Sequence, residues 1–111
     1  MERPVLVYTT FPDEATALAV GEALVTDKLA ACVNVIPGMT SVYAWKGAVE
    51  RANEVVGIVK TRESLAEAVR AALKERHPYE TPIVLFLEAS GGDQGTLDWL
   101  FAETRPEIAP P

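Results

Sequence analysis

One short segment of the sequence gathers three side chains that can bind a ligand or transfer a proton. It runs from His77 to Pro82 and carries an imidazole, a phenol and a carboxylate, the last two on Tyr79 and Glu80. Pro78 and Pro82 stiffen its backbone, and a stiff segment is a good support for a pocket wall. His77, the one histidine of the chain, also follows a predicted helix, whose dipole favours positive charge at that end. The segment therefore predicts either a helix-capping role or a ligand-binding role for His77.

A second group of aromatic and charged side chains falls on a predicted β-hairpin. Lys46 and Gly47 offer a two-residue turn, which sets Trp45 opposite Ala48. Because side chains alternate along a strand, that register places two aromatic residues, two carboxylates and one amine on one face of the hairpin. These residues are Tyr43, Trp45, Glu50, Glu54 and Lys60. Aromatic residues and ion pairs are common where subunits meet, and perturbed charges cluster at functional sites, so both interpretations stay open.

Hydrophobic patterning predicts the elements that position these side chains. Runs of apolar and β-branched residues predict strands, and apolar residues spaced three and four apart predict helices. The predicted order is strand 5–8, a helix with Asp13 as N-cap, strand 31–43 interrupted at Pro37-Gly38, strand 49–60, helix 65–76, strand 83–87 and a short helix capped by Thr96. Pro106, Pro110 and Pro111 predict an extended tail after the last helix.

This order predicts an α/β domain of the α+β class, a ferredoxin-like βαββαβ sandwich with an extra C-terminal helix. Right-handed crossovers place both main helices on one face of a four-stranded antiparallel sheet. The hairpin strands are predicted to be longer than the first and last strands, so their ends expose unpaired backbone groups. Pairing with further copies of the chain would satisfy those groups, and the pattern therefore predicts a small oligomer.

Length and composition predict one compact domain over residues 1–111. A chain of 111 residues and 12.0 kDa has room for one hydrophobic core, and 49% hydrophobic with 23% charged residues is typical of a globular protein. A net charge of -6 and a pI near 4.7 disfavour binding to nucleic acid or to an anionic membrane. Cys32, the single cysteine, is expected in the core, and a chain without internal disulfides is expected in the cytoplasm.

The sequence lacks the motifs of three other ferredoxin-like classes. A metallochaperone needs a Cys-x-x-Cys pair, an RNA-recognition module needs strand aromatics amid basic residues, and an acylphosphatase-like enzyme needs a glycine- and arginine-bearing loop after the first strand. One histidine also gives no nucleophile, base and orienting residue together, so a non-enzyme is predicted. Two alternatives stay open. One is a hydrolase or transferase with Glu50 or Glu54 as general base and Lys60 or His77 stabilising charge, and the other is an oligomeric scaffold for a protein partner.

Several segments form a recognisable pattern when taken together. They are Leu29-Ala30-Ala31-Cys32-Val33-Asn34, Ile36-Pro37-Gly38, Thr40-Ser41-Val42-Tyr43, Trp45-Lys46-Gly47, Lys60-Thr61 and His77-Pro78-Tyr79-Glu80-Thr81-Pro82. This set closely resembles the CutA divalent-cation tolerance family, and the resemblance covers nearly the whole chain. Its most specific parts are the central block and the block that begins at His77.

The resemblance implies a fold similar to that of the PII signalling proteins and a tight homotrimer formed through the long hairpin strands. It also implies a function in the response to copper and other divalent metals. By match to the family's motifs, the pocket between subunits is expected to contain Tyr43, Trp45, Lys46, Glu50, Lys60, His77, Tyr79 and Glu80. His77 is the residue expected to bind a divalent metal ion, copper above all. No nucleic-acid or membrane partner is expected.

Overall fold

The computed structural model describes residues 2–105, which form a four-stranded sheet and three α-helices. The elements are β1 (Pro4–Phe11), α1 (Glu14–Thr26), β2 (Cys32–Trp45), β3 (Ala48–Arg62), α2 (Ala66–Arg76), β4 (Leu85–Glu88) and α3 (Gln94–Glu103). The predicted βαββαβ order with a C-terminal helix is therefore confirmed. Pro106, Pro110 and Pro111, for which an extended tail is predicted, lie outside the described residues.

The sheet has the strand order β2-β3-β1-β4, and its described strand pairs are antiparallel. This arrangement confirms the ferredoxin-like α+β fold. Lys46 and Gly47 form the hairpin turn with positive φ angles of 48° and 82°, as a two-residue turn that matches strand twist requires. The predicted register is also confirmed, since Trp45 pairs with Ala48 and Tyr43 with Glu50.

The long second strand contains the predicted irregularity. The β2–β3 register shifts between Ile36 and Met39, where Gly38 adopts a φ of 86°. Such a bulge bends the strand and re-aims the side chains beyond it. The hairpin residues after the bulge therefore follow a different direction from those packed on the body of the domain.

The hydrophobic core lies between one face of the sheet and helices α1 and α2. Residues from both helices and from β1 and β3 form one buried cluster, which includes Val7, Ala17, Leu24, Val59, Val69 and Leu73. Phe11, at the end of β1, belongs to this cluster and is 1% exposed. Its ring lies against Gly57 of β3, where an added methyl group would sit 2.7 Å from Phe11 Cε2. A glycine in a strand interior therefore marks a close approach here.

Most element ends lie within two residues of the predicted ones, and the larger or more informative differences concern β1, β4 and the cap of α3. β1 extends to Phe11 instead of Tyr8, because β3 offers it a partner as far as Val55. β4 begins at Leu85 and not at residue 83. The N-cap of α3 is Asp93, whose side chain accepts from the Gly95 N–H, so the prediction of Thr96 as its cap was wrong. Asp13 is the N-cap of α1, as predicted.

Arg62, the last residue of β3, ties the C-terminal helix to the sheet. Its Nε donates to Thr104 Oγ1 at 2.8 Å, and another guanidinium nitrogen donates to the Phe101 carbonyl oxygen. A third contact is an ion pair with Glu2 at 3.2 Å. The planar guanidinium suits such a junction because it offers five donors in a fixed fork. Arg62 thus links the end of β3 both to the C-terminal end of α3 and to Glu2, which precedes β1.

Candidate functional site

The ring of His77 is buried against β1 at the C-terminal end of α2. His77 is the C-cap residue of this helix and is 8% exposed. Its Nε2–H donates to the carbonyl oxygen of Thr10 at 2.6 Å, and its Nδ1 accepts from the backbone N–H of Tyr79 at 3.2 Å. The residue therefore ends α2 as predicted, but its ring bonds to β1 and to the following segment, not to the carbonyl groups of its own helix.

Two aromatic rings contact this imidazole. The Phe11 ring stacks on it with a centroid distance of 5.0 Å and an interplanar angle of 11°. The Tyr79 ring lies 4.8 Å away at 46°. Such contacts restrict the motion of all three rings. The segment that follows α2 is consequently packed onto the end of β1.

The hydroxyl of Tyr79 reaches the third strand. It donates a hydrogen bond to Glu54 Oε2 at 2.9 Å. Partial burial and then this carboxylate raise the pKa of Tyr79 to about 12. The phenol therefore keeps its proton at neutral pH and remains a hydrogen-bond donor to Glu54.

Tyr43 and Glu50 extend this cluster along the hairpin. They are directly opposite each other on β2 and β3, and Tyr43 is 38% exposed. Desolvation and then the carboxylates of Glu50 and Glu54 raise the pKa of the Tyr43 phenol. Two phenols and two carboxylates thus form one polar cluster, which we call the Tyr/Glu cluster: Tyr43, Glu50, Glu54 and Tyr79.

An open groove of about 360 Å³ adjoins this cluster at the point where β1 ends. It is lined by Pro12, Gly38, Met39, Asn53, Glu54 and Val55. The β2 bulge forms one side of the groove and β3 the other. The groove is open, and it contains one carboxylate and one amide next to apolar side chains, so water has access to it in a single chain.

The other residues of the predicted pocket lie farther away within one chain. Lys46 and Trp45 are at the exposed tip of the hairpin, where the lysine Nζ lies 5.5 Å from the indole ring centre. Lys60 and Glu50 lie near opposite ends of β3, roughly 30 Å apart at the rise of an extended strand. Glu80 is exposed beside Tyr79. A single chain therefore brings His77, Tyr79, Tyr43 and Glu50 into one region and leaves Lys60 outside it.

Two residues of the site are missing from the set predicted by family motifs. Glu54 bonds to Tyr79, and Phe11 stacks on His77. The hairpin register already placed Glu54 on the same face as Tyr43 and could have identified it. The signal for Phe11 was Gly57, since a glycine within a strand indicates that another group approaches closely.

Within one chain, residues 2–105 do not fit a copper ion. Both nitrogens of His77 are engaged in hydrogen bonds. Cys32, which was expected in the core, is instead half-buried on β2, opposite Lys60 of β3. It lies away from the end of β1, where His77 is. Among residues 2–105 no group of three or more histidine, cysteine and acidic side chains is arranged to hold a metal ion. The Tyr/Glu cluster offers only oxygen donors, which copper does not prefer over nitrogen or sulfur.

Fold and site together define a class: a small ferredoxin-like protein with a projecting hairpin and a polar groove at its base. Residues 5–103 match the family described as CutA1 divalent ion tolerance protein. A divalent-cation tolerance protein CutA from Escherichia coli is 46% identical over 101 residues, which are 91% of this chain and 90% of that protein. The chain belongs to the CutA1 divalent ion tolerance family.

Solved structures agree with this assignment. The crystal structure of CutA1 from Oryza sativa is 40% identical and has a TM-score of 0.90, over 93% of this chain and 94% of that one. A protein from Archaeoglobus fulgidus, described as a periplasmic divalent cation tolerance protein CutA, is 35% identical with a TM-score of 0.87, over 90% and 97% of the two chains. The function predicted from the sequence, divalent-cation tolerance, is thereby confirmed, and none of these relatives favours the hydrolase or transferase alternative. In the part of the chain from residue 2 to residue 105, every helix is too short or too polar to cross a membrane.

Proposed function

We propose that the chain is a non-enzymatic binding protein that acts as a homotrimer. The trimer would bind a small ligand in clefts between its subunits and in this way contribute to the response to copper and other divalent metals. The observation that carries the proposal is the combination of a groove beside the Tyr/Glu cluster with apolar strands that a single chain leaves uncovered. The relatives named for divalent-cation tolerance support the cellular role.

Exposed apolar residues on the sheet support assembly. Leu85 and Leu87 of β4 are 59% and 53% exposed, and on the hairpin Val42 and Val49 are 67% and 78% exposed. The two pairs lie at opposite sides of the sheet, and neighbouring exposed apolar side chains often mark a surface that another chain covers. β2 and β4 are also the two edges of the described sheet and present unpaired backbone groups there. Copies of the chain that cover these strands would bury both kinds of group.

Assembly would also complete the ligand site. Lys60 is predicted to belong to the pocket, yet in one chain it lies far from Glu50 and from Tyr79. A neighbouring subunit is therefore expected to supply Lys60, or the hairpin tip with Trp45 and Lys46, to the groove of its partner. An amine next to a carboxylate and aromatic rings would give the completed site both charges and a flat apolar wall.

The metal link requires a separate test because a single chain does not fit copper. The sequence placed the metal on His77, but both of its ring nitrogens are engaged within one chain, so the copper expectation rests on sites that carboxylates of the three subunits would form together. The cytoplasm is the proposed location, supported by the single cysteine, which offers no internal disulfide. Separation of periplasmic and cytoplasmic fractions of cells that express the protein would test the location, and recovery in the periplasm would contradict it.

Native mass spectrometry at micromolar concentration tests the assembly. We expect a trimer for the unmodified chain and monomers for Leu85→Glu, because this leucine lies on β4 opposite Tyr8 and away from the helices. Leu18→Glu on α1 is the matched control, since Leu18 is also apolar and 46% exposed. A monomeric unmodified chain, or equal disruption by Leu18→Glu, would contradict the proposed interface.

The same spectra, recorded with added Cu²⁺ and Zn²⁺, test the metal role. Metal retained by the trimer in whole-number stoichiometry and lost in Leu85→Glu would support sites formed between subunits. Metal retained equally by trimer and monomer would contradict that assignment. A trimer that retains neither ion would contradict a direct copper role and leave the proposed cleft to another small ligand.

A further inference from the structure

We propose that His77 is a positioning residue that holds Tyr79 against Glu54, and that it is not a metal ligand. The inference rests on the proposed ligand site beside the Tyr/Glu cluster and refines it. It separates the residue that builds the site from the residues that would touch what binds there. The family resemblance alone placed His77 in the second group.

The hydrogen bonds of the ring assign its chemical state. A carbonyl oxygen only accepts, so the 2.6 Å contact with Thr10 requires a proton on Nε2. A backbone N–H only donates, so the 3.2 Å contact with Tyr79 requires a free lone pair on Nδ1. The neutral ring with its proton on Nε2 satisfies both partners. Its single in-plane lone pair, the one that a metal ion would need, is already used by the Tyr79 backbone.

The packing of the ring also closes it to an ion from solvent. His77 is 8% exposed, and Phe11, which stacks on it, is 1% exposed. Phe11 cannot shift freely because its ring edge lies against Gly57. An ion could therefore reach the imidazole only after the end of β1 had opened.

The same contacts explain how Tyr79 reaches the third strand. Thr10 holds the imidazole, the imidazole holds the Tyr79 backbone, and the Tyr79 hydroxyl bonds to Glu54 at 2.9 Å. The chain of contacts crosses from β1 to β3 through a segment that has no strand partner of its own among the described residues. Loss of the imidazole acceptor would release the backbone of Tyr79 and thereby the hydroxyl from Glu54.

NMR spectroscopy of the imidazole nitrogens tests the assignment in the unmodified protein. The chain has one histidine, so the ring signals need no assignment by mutation. We expect the tautomer protonated on Nε2, and we expect its signals to stay in place when Zn²⁺ is added in equimolar amount. A shift of either ring nitrogen that saturates with Zn²⁺ would show coordination and overturn the proposal, as would a tautomer protonated on Nδ1.

Three substitutions separate the two hydrogen bonds of the ring. His77→Asn keeps a short acceptor for the Tyr79 N–H, His77→Gln keeps a longer donor for Thr10, and His77→Ala keeps neither. The readout is the hydrogen-exchange rate of the Tyr79 amide. We expect exchange about tenfold faster or more in His77→Ala and His77→Gln, with protection largely restored in His77→Asn. Equal loss in all three variants would indicate a general packing role and contradict the positioning role.

These measurements need no bound ligand and remain informative if the proposed cleft fails. A monomeric protein with the expected tautomer and exchange pattern would leave the role of His77 intact and remove the inter-subunit site. A trimer whose His77 signals respond to Zn²⁺ would remove the positioning role of His77 and leave the inter-subunit site intact. If His77→Ala does not fold, the spectra of the unmodified chain still decide between positioning and coordination.

Discussion

Replacing Gly57 with alanine should destabilise the protein because the new methyl group would crowd two buried side chains. The added methyl group would lie 2.7 Å from Phe11 Cε2 and 3.1 Å from Thr9 Cγ2. Neither neighbour has room to retreat, since Phe11 is 1% and Thr9 0% exposed. Phe11 also stacks on His77, so any movement of its ring would disturb the support of Tyr79.

The expected size of the effect follows from two opposing terms. Forcing a methyl group into a packed core costs about 1–3 kcal/mol. Alanine in place of glycine lowers the entropy of the unfolded chain and returns about 0.4–1 kcal/mol, because Gly57 is not in a positive-φ conformation. The net loss should be about 1–2 kcal/mol, which corresponds to a fall of roughly 5–15 °C in Tm for a domain of this size.

Thermal unfolding followed by circular dichroism measures this loss, with all variants at the same protein concentration because an oligomer's Tm depends on it. Gly91→Ala is the matched control, since nothing lies within 4 Å of the methyl group that it adds. In a Phe11→Leu background, which removes the ring edge, the cost of Gly57→Ala should fall by about 1 kcal/mol. An unchanged cost in that background, or a Tm for Gly57→Ala equal to that of Gly91→Ala, would refute the reasoning.

Two further predictions concern charge. The pKa of Tyr79 is raised from 10.0 to about 12. Between these two pH values the folded chain retains a proton that the unfolded chain loses, so the free energy of unfolding should fall as the pH rises from 10.0 to about 12. Tyr79→Phe should remove that part of the alkaline loss in urea unfolding at about pH 9 and about pH 11, and an unchanged pH slope would contradict the assignment. Arg62→Lys should cost about 2 kcal/mol, because an ammonium cannot reach Glu2, Thr104 and the Phe101 carbonyl together. Burial opposes ionisation of Glu2, but hydrogen bonds from Ser64 and the charge of Arg62 outweigh it and lower the pKa, so the stability that Glu2 provides is present at neutral pH and lost on acidification. Arg62→Lys should therefore lose less stability on acidification than the unmodified protein does. An unchanged loss of stability on acidification would contradict the role assigned to the Arg62–Glu2 ion pair.

The hairpin could be predicted from the sequence because local backbone chemistry determines it. Lys46 and Gly47 form a tight turn that aligns the pairs on either side, and Gly38 next to Pro37 produces the bulge. Alternation along the strands then places Tyr43 opposite Glu50 without any knowledge of the rest of the fold. Strand parity also put Glu54 on this face, although the family motifs did not include it.

The arrangement around His77 could not be predicted in the same way. Helix position correctly identified the end of α2, but the direction of the ring depends on Thr10, which is distant in sequence and joins it only through the packing of α2 on β1. The junction at Arg62 has the same character, since its partners come from both ends of the described chain. Hydrogen bonds between distant segments follow from tertiary packing, and no periodic pattern encodes them.

The location of the groove follows from a difference in strand length. β1 pairs with β3 only as far as Phe11 opposite Val55, and Pro12, which lacks a backbone donor, stops the ladder there. β3 continues to Ala48 and, within residues 2–105, has β2 as its only partner over that stretch. The ending of one strand beside a longer one leaves an open edge, and Glu54 lies at the step, where Tyr79 can reach it. The projecting hairpin and the groove therefore have one structural cause, and in the proposed assembly a neighbouring subunit that paired with the open edge of β3 would also form the missing wall of the groove.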